Sequence, residues 1–242
     1  MRFSCVTLTT KSRTWILPEA VKRFQEQTYA ACGRELVIVC PISHIDAVLK
    51  VVPQAFNIRV VGIPPIETDG ARRNAATEAC LGEWIAVWDD DDWLAPDRLS
   101  VVDRAIRDNP YLQMIGSTEM HIYEIRTDKA WKYVYGGETP WMIGASLVMR
   151  RDFALKNPYP THTGVPSQTG ADTAMIVPAL AGGAPYKIVN TGYVYLIHGG
   201  NHATPEIPHY LSDPYYTELP EGRAAIDAVT DSWASRVREI PR

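Results

Sequence analysis

The sequence predicts an α/β fold with a mainly parallel central sheet flanked by helices and a small antiparallel portion. Three observations predict it. The first half alternates short apolar runs with helical patterns, as repeated βαβ units do. One of those runs, EWIAVWD at 83–89, has no charge in its interior, as a strand covered on both faces requires. After residue 111 the text changes to LQMIGSTEMHIYEIRTDKAWKYVY, which is strand-like with partial alternation and no long helix between segments. That suits an antiparallel excursion better than another βαβ unit.

The elements follow in order. FSCVTLT (3–9) reads as a buried strand, and Leu17, Ala20, Val21, Phe24 and Thr28 then recur at helical spacing, with Pro18 tolerated in the first turn. ELVIVC (35–40) is a second strand, and SHIDAVLKVV a helix capped by Ser43 that ends before Pro53. NIRVVGI (57–63) is a third strand, DGARRNAATEACL (69–81) an alanine-rich helix, and 83–89 the fourth strand. Pro96 opens a helix with Leu99, Val102 and Ile106 on one side, and Asn109-Pro110 stops it. Residues 136–170 are rich in glycine, proline and threonine around the apolar WMIGASLVMRRDF, a composition shared by loops that border sites. A helix over 172–181, strands near 186–190 and 193–198, and a terminal helix over 221–238 complete the reading. With no linker or repeat, residues 1–220 read as a single domain. The segment 221–242 is expected to pack on that domain or on a partner.

Composition narrows the function classes. The 242 residues are 46% hydrophobic, enough for a full core, and 24 basic against 28 acidic side chains give a net charge of −4. No basic stripe of the kind that grips phosphate backbones accompanies that balance, so nucleic acid is disfavoured. The cysteines at 5, 32, 40 and 80 are too scattered for a disulfide scaffold, and Cys5 and Cys40 lie in apolar runs as buried thiols do. The N-terminus reaches Lys11 before a signal-peptide core could develop, and no long apolar run follows. The expectation is a soluble cytoplasmic protein without a transmembrane span, with peripheral attachment at the inner membrane face left open. A homodimer is compatible with this reading.

The sharpest feature is the acidic run in EWIAVWDDDDWLAPDRL, where a buried strand delivers Asp89, Asp90, Asp91 and Asp92 at its carboxyl end. Adjacent like charges repel, and a divalent cation or cationic ligand offsets that cost. Asp89 and Asp91 can share one face of an extended segment. Carboxylate oxygens suit Mg²⁺ or Mn²⁺, with phosphate oxygens completing the shell. Ligands of open α/β sheets bind outside the carboxyl ends of the strands, which is where the run stands. The bland alternative is a solvated turn whose aspartates cap the next helix.

The segment GARRNAATEACLGEWIAVWDDDDWLAPDRL resembles the core of family 2 glycosyltransferases of the GT-A fold. The resemblance rests on an Ala-Arg-Asn element, a helix, Gly-Glu, an apolar strand, and an Asp-x-Asp cluster followed by Pro and Leu, and it extends over roughly residues 3–202. It implies Asp91 as the principal metal ligand with Asp89, Asp89, Asp90 and Asp92 on the donor nucleotide and sugar, and Arg73 near the nucleotide. FSCVTLTTKSR resembles the donor loop and places Thr9 and Arg13 beside base and ribose. GASLVMRRDF supplies Gly144, Ala145 and Ser146, whose small size lets the backbone approach the sugar. In TGADTAMIV, Asp172 matches the family's catalytic base, although Ala171 replaces the usual preceding glutamate. His198, after the last strand, or His202 would complete the metal site. Trp93 and Trp141 are the tryptophans best placed to stack on a sugar. The family's base-reading aspartate after strand two is missing, with Ser43, His44, Asp46 or Asp69 left to replace it.

The resemblance therefore implies an enzyme, a metal-dependent inverting glycosyltransferase. It would use Mn²⁺ or Mg²⁺ and a nucleotide-sugar donor, UDP being favoured by the family alone. The acceptor hydroxyl would belong to a glycan, a lipid-linked glycan, a protein or a small molecule. The donor-binding half would be about 1–110 and the acceptor-side half about 111–220. One rival is a nucleotidyltransferase or sugar-phosphate pyrophosphorylase, whose glycine-rich loop after strand one is absent from TLTTKSRTW. The other is a non-catalytic nucleotide- or glycan-binding module.

Overall fold

A computed structural model describes residues 1–161, 171–201 and 214–241. Its main sheet is built from β1 (Phe3–Leu8), β2 (Arg34–Pro41), β3 (Ile58–Ile63), β4 (Trp84–Val87), β6 (Met114–Gly116), β9 (Val148–Arg150) and β10 (Tyr186–Ile188). The order across it is β10-β6-β9-β4-β1-β2-β3. β4, β1, β2 and β3 are mutually parallel, as the βαβ reading requires. The exception is β9, which runs antiparallel between β4 and β6.

Side chains alternate across this sheet and build a core on each face. Leu36, Ile38, Trp84 and Ala86 point to one side, where Leu17, Ala20, Val21 and Phe24 of α1 (Leu17–Gln25), Val48 of α2 (Ile45–Leu49), and Leu99, Val102 and Ile106 of α4 (Arg98–Asp108) meet them. Val37, Val39, Ile85 and Val87 point to the other. They pack on Ala76 of α3 (Asp69–Ala79), Ala154 of α5 (Arg151–Lys156), and Met175, Ile176 and Leu180 of α6 (Ala171–Ala181). Ser43 is not a helix cap: it lies in a 3-10 turn, Ile42–His44, and the side chain of His44 makes no capping bond to α2.

A second sheet holds β5 (Trp93–Leu94), β7 (Glu119–Glu124), β8 (Lys129–Val134), β11 (Tyr193–Ile197) and β12 (Tyr216–Leu219) in the order β12-β8-β7-β11-β5. The β7–β8 hairpin is the antiparallel excursion the sequence predicts. Ile122 and Tyr193 of this sheet face the first core, whereas Tyr123, Val194 and Leu196 face a third. The C-terminal segment covers that outer face with fully buried Ile226, Trp233, Ala234 and Val237. It forms two helices where one was predicted, α7 (Arg223–Thr230) and α8 (Trp233–Arg238). Asp231 and Ser232 break it with φ of 51° and 60°, left-handed conformations that no continuous helix contains. Among the described residues no helix is long and apolar enough to cross a membrane.

Candidate active site

β4 ends at Val87, and the chain then crosses from the first sheet to β5 of the second through the acidic run. Along this crossing Asp90, Asp91 and Asp92 are 2%, 5% and 2% exposed. Carboxylates so buried need partners, and each has them. Thr9, after β1, donates its hydroxyl to Asp90 Oδ2 at 2.6 Å. Arg13, at the end of the 3-10 turn Lys11–Arg13, reaches Asp90 Oδ1 at 2.8 Å and also pairs with Asp91. Asp91 Oδ2 lies 3.1 Å from His198 Nε2 and accepts from Asn201 Nδ2 at 3.2 Å. Asn201 also donates to the Leu196 carbonyl, and its own Oδ1 accepts from His198 N, so the turn after β11 is clamped onto Asp91. Trp15 meets the His198 ring edge-on at 5.3 Å.

The electrostatics follow from this crowding. Burial raises the Asp89 carboxyl to about 6, with Arg73 pulling it down and Asp91 and Asp172 pushing it up. Burial, and then the charge of Asp91, also raises Asp90 and Asp92. For Arg13 burial opposes the charge, but Asp91 and Asp90 outweigh it and raise its pKa. Arg13 and Arg73 thus face a run of four carboxyls, and the run retains an appetite for positive charge.

A second group faces this one. Arg73 of α3 pairs with Asp172, in the first turn of α6, at 3.3 Å between Nε and Oδ1. Asp172, Tyr159 and Asp89 support the charge of Arg73 in that order, against the cost of its burial. Asp89, which lines one pocket with Arg73, therefore belongs electrostatically to both groups. α3 also anchors the segment after α5, because Asn74 exchanges hydrogen bonds with the backbone of Tyr159, both at 2.9 Å. Gly144 packs directly on Asp172: a Cβ there would meet Oδ2 at 2.4 Å. Its role is to admit the carboxylate, a demand the resemblance does not anticipate. Ala145 follows in the same turn, Gly144–Ser146, and packs on the first core. Trp141 donates to Thr173 Oγ1 at 3.4 Å, one residue from Asp172.

Several expected donor contacts are directed elsewhere. Asp92 accepts from Leu196 N at 2.9 Å and from the Tyr193 hydroxyl, so it fastens β11 instead of facing the cleft. Ser146 donates to the Ile143 carbonyl at 2.6 Å and accepts from Ser117 N at 2.8 Å, which uses its hydroxyl within the scaffold. Trp93 is buried in the third core, and its ring crowds Gly192, leaving no open face. Asp69 pairs with Arg72 on its own helix. Of the substitutes for the missing base-reading aspartate, His44 reaches the Lys11–Arg13 turn, its Nδ1 accepting from Lys11 N at 3.2 Å. His202 lies outside the described residues.

Sequence reading missed Asn201 and Arg98. The Gly-Gly-Asn sequence signals only a turn, and no local pattern reveals that its amide reaches Asp91. Arg98 opens α4 fully buried and donates to the carbonyls of Val87 and Ser146 at 2.8 and 2.9 Å. It thereby ties the strand leading into the acidic run to the Gly144–Ser146 turn. It reads in sequence as an ordinary surface residue of a helix start.

Among the described residues no group of three His, Cys, Asp or Glu side chains is arranged to hold a metal ion. Asp91 and His198 nevertheless offer a carboxylate oxygen and an imidazole nitrogen 3.1 Å apart, a pair that suits a borderline divalent cation with substrate oxygens filling the other positions.

No curated protein sequence matches the chain. Solved structures share its fold at low identity. S. aureus TarS 1–349 in complex with UDP-GlcNAc has a TM-score of 0.61 and 16% identity over 98% of this chain and 72% of that one. Mannosyltransferase PcManGT from Pyrobaculum calidifontis, in complex with GDP-Man and Mn²⁺, has a TM-score of 0.61 and 14% identity over the same shares. Another TarS 1–349 structure matches with a TM-score of 0.57 and 14% identity over 81% of this chain, and this match spans 60% of that structure; a match to a longer TarS chain spans 37% of it. These similarities establish a GT-A fold. Glycosyl transferase family 2 matches residues 15–166, most of the chain, and includes the acidic run, Arg73 and the Gly144–Ser146 turn. The chain belongs to glycosyl transferase family 2.

Proposed function

We propose that the protein transfers a glycosyl group from a nucleoside-diphosphate sugar to an acceptor hydroxyl, with inversion at the anomeric carbon. The observation that carries this reading is Arg73, which pairs with Asp172, lines one pocket with Asp89 of the acidic run, and carries a charge that both carboxylates support. It puts a donor-side carboxylate and a candidate base in one site.

The chemistry follows from the residues. A diphosphate adds negative charge to a region already rich in carboxyls, so the donor enters with a cation. Asp91 and His198 would hold it with Asp89 beside them, and Mn²⁺ or Mg²⁺ there would offset the charge that develops on the departing diphosphate. Thr9 and Arg13 orient the acidic run toward the donor, and His44 braces the turn that carries Arg13. Asp172 takes the proton of the acceptor hydroxyl as that oxygen attacks. A single base without a second nucleophile favours in-line displacement, hence inversion. The GDP-Man and Mn²⁺ of the mannosyltransferase, and the UDP-GlcNAc of TarS, supply the donors to try first.

The test is a thermal-shift screen of nucleotide sugars, each with and without Mn²⁺ or Mg²⁺, followed by product analysis by proton NMR. One donor is expected to raise Tm only with the metal, as ligand-linked stabilisation requires, and its transferred sugar to carry the opposite anomeric configuration. Retention would remove Asp172 from the role of sole base. Donor binding that ignores EDTA would remove the metal.

A further inference from the structure

Arg98, at the start of α4, is a fully buried cation that the transfer chemistry leaves unused. Among the described residues no carboxylate pairs with it. Its guanidinium lies 5.6 Å from the centre of the Trp88 ring, and its two Nη atoms donate to the carbonyls of Val87 and Ser146 at 2.8 and 2.9 Å. A charge buried without a counter-ion works against folding. Burial lowers the pKa of Arg98 accordingly, with Cys5, Tyr193 and Asp89 opposing the drop in that order.

What the fork holds gives it meaning. β4 and β9 are antiparallel, Trp84, Ile85 and Ala86 facing Arg150, Met149 and Val148. One further bond, from Val87 N to the Leu147 carbonyl at 2.9 Å, continues the ladder, and there the two chains part. β4 runs on into the acidic run, with Asp89 two residues beyond Val87. β9, followed backwards, leads into the Gly144–Ser146 turn, whose Gly144 packs on Asp172. Arg98 takes one carbonyl from each chain at this parting. Arg73 meanwhile pairs with Asp172 and lines one pocket with Asp89. The donor-side carboxylate and the candidate base are thus tied twice, by a side chain within the site and by a backbone bridge at its root.

We propose that Arg98 is a positioning residue: by bridging Val87 and Ser146 it sets the spacing between Asp89 and Asp172, and with it the approach of the acceptor oxygen to the donor. This rests on the glycosyl-transfer reading. The planar guanidinium matters as much as its charge, because a lysine in its place keeps the cation and loses the fixed two-pronged geometry.

Arg98→Lys tests it in the full chain. Its kcat should fall roughly tenfold to a hundredfold, while donor Kd from calorimetry changes less than about twofold. In an Asp172→Asn background the same change should lower kcat by less than about twofold, because a base that is gone cannot be misplaced. A purely structural role gives equal losses in both backgrounds. That result overturns the proposal, as does an unchanged kcat or a donor Kd weakened as much as kcat. If Arg98→Lys does not fold, Arg98→Gln, whose amide can donate to one of the two carbonyls, takes its place under the same criteria. Amide exchange followed by mass spectrometry needs no turnover: exchange over residues 144–147 should quicken about tenfold in the variant while that of α7 and α8 stays as in the native protein. Unchanged exchange over 144–147 overturns the bridge itself. A native protein that forms no glycosyl product from any nucleotide sugar would discard glycosyl transfer, whereas quickened exchange in the variant would still keep the bridge.

Discussion

The two acidic groups of the site are held in opposite ways. Asp90, Asp91 and Asp92 are almost fully buried, and each is bound by partners from distant parts of the chain: Thr9 and Arg13, then Arg13, His198 and Asn201, then Tyr193 and Leu196. Asp172 stands in the first turn of a helix with its side chain 29% exposed, and its charged partner is Arg73. The difference separates two tasks. A site that binds a charged donor benefits from groups already fixed before the ligand arrives. A group that accepts a proton from an incoming hydroxyl must be reachable.

The comparison breaks most visibly at Asp172. Asp172→Asn should lower transfer turnover by about 10²- to 10⁴-fold, the usual contribution of a positioned base, and disturb donor affinity far less. Steady-state kinetics beside calorimetry of donor binding checks it, and a parallel loss of both would move Asp172 to the donor side. Asp92 gives the opposite signature. Asp92→Ala strands the Leu196 N–H and the Tyr193 hydroxyl inside the protein, and should cost about 3 kcal/mol of folding stability in urea denaturation. Gly144 lies between these extremes. Gly144→Ala thrusts a methyl group at the Asp172 carboxylate, and should reduce kcat by roughly tenfold to a hundredfold with a small change in Tm. An unchanged kcat would show that Asp172 has room to shift.

The smallest effect concerns the thiols. Cys5 and Cys80 are raised to about 12, chiefly by burial, whereas Cys32 is exposed. At pH 8 Cys32 should react promptly with a thiol reagent, and Cys5, Cys40 and Cys80 only on unfolding. The sign of the stability effect is fixed as well. Above pH 9 the unfolded chain releases these protons while the folded one keeps them, so stability from Cys5 and Cys80 is intact below pH 9 and declines between pH 9 and 12. Urea midpoints across that range measure it.

What could be read from the chain depended on whether one segment carried its own signal. β4 is an uninterrupted apolar run, β1 and the body of β2 are uncharged and largely apolar, and α3 and α4 have helical spacing or clear stops, so their existence followed from local pattern alone. β9 spans only Val148–Arg150, too short for any period, and its antiparallel insertion between β4 and β6 is settled by pairing partners far away in sequence. The terminal helix is interrupted at Asp231 and Ser232, residues whose left-handed conformation a helical apolar pattern does not reveal. At the site, the acidic run announced itself by charge density. The functions of its members did not: Asp92 differs from Asp91 only in which side of the crossing it faces. Asn201 and Arg98 were invisible for the same reason, since their roles consist entirely of partners supplied by other elements.

The acidic run is also a seam of the molecule. β4 belongs to one sheet and β5 to the other, and residues 88–92 are one thread between them, beside 117–118 and 189–192. Forces that separate the sheets therefore act in part along the acidic run itself. A cation and donor seated on that thread would act as a rivet, and amide exchange should slow on both sheets at once when they bind, including strands that never touch the ligand.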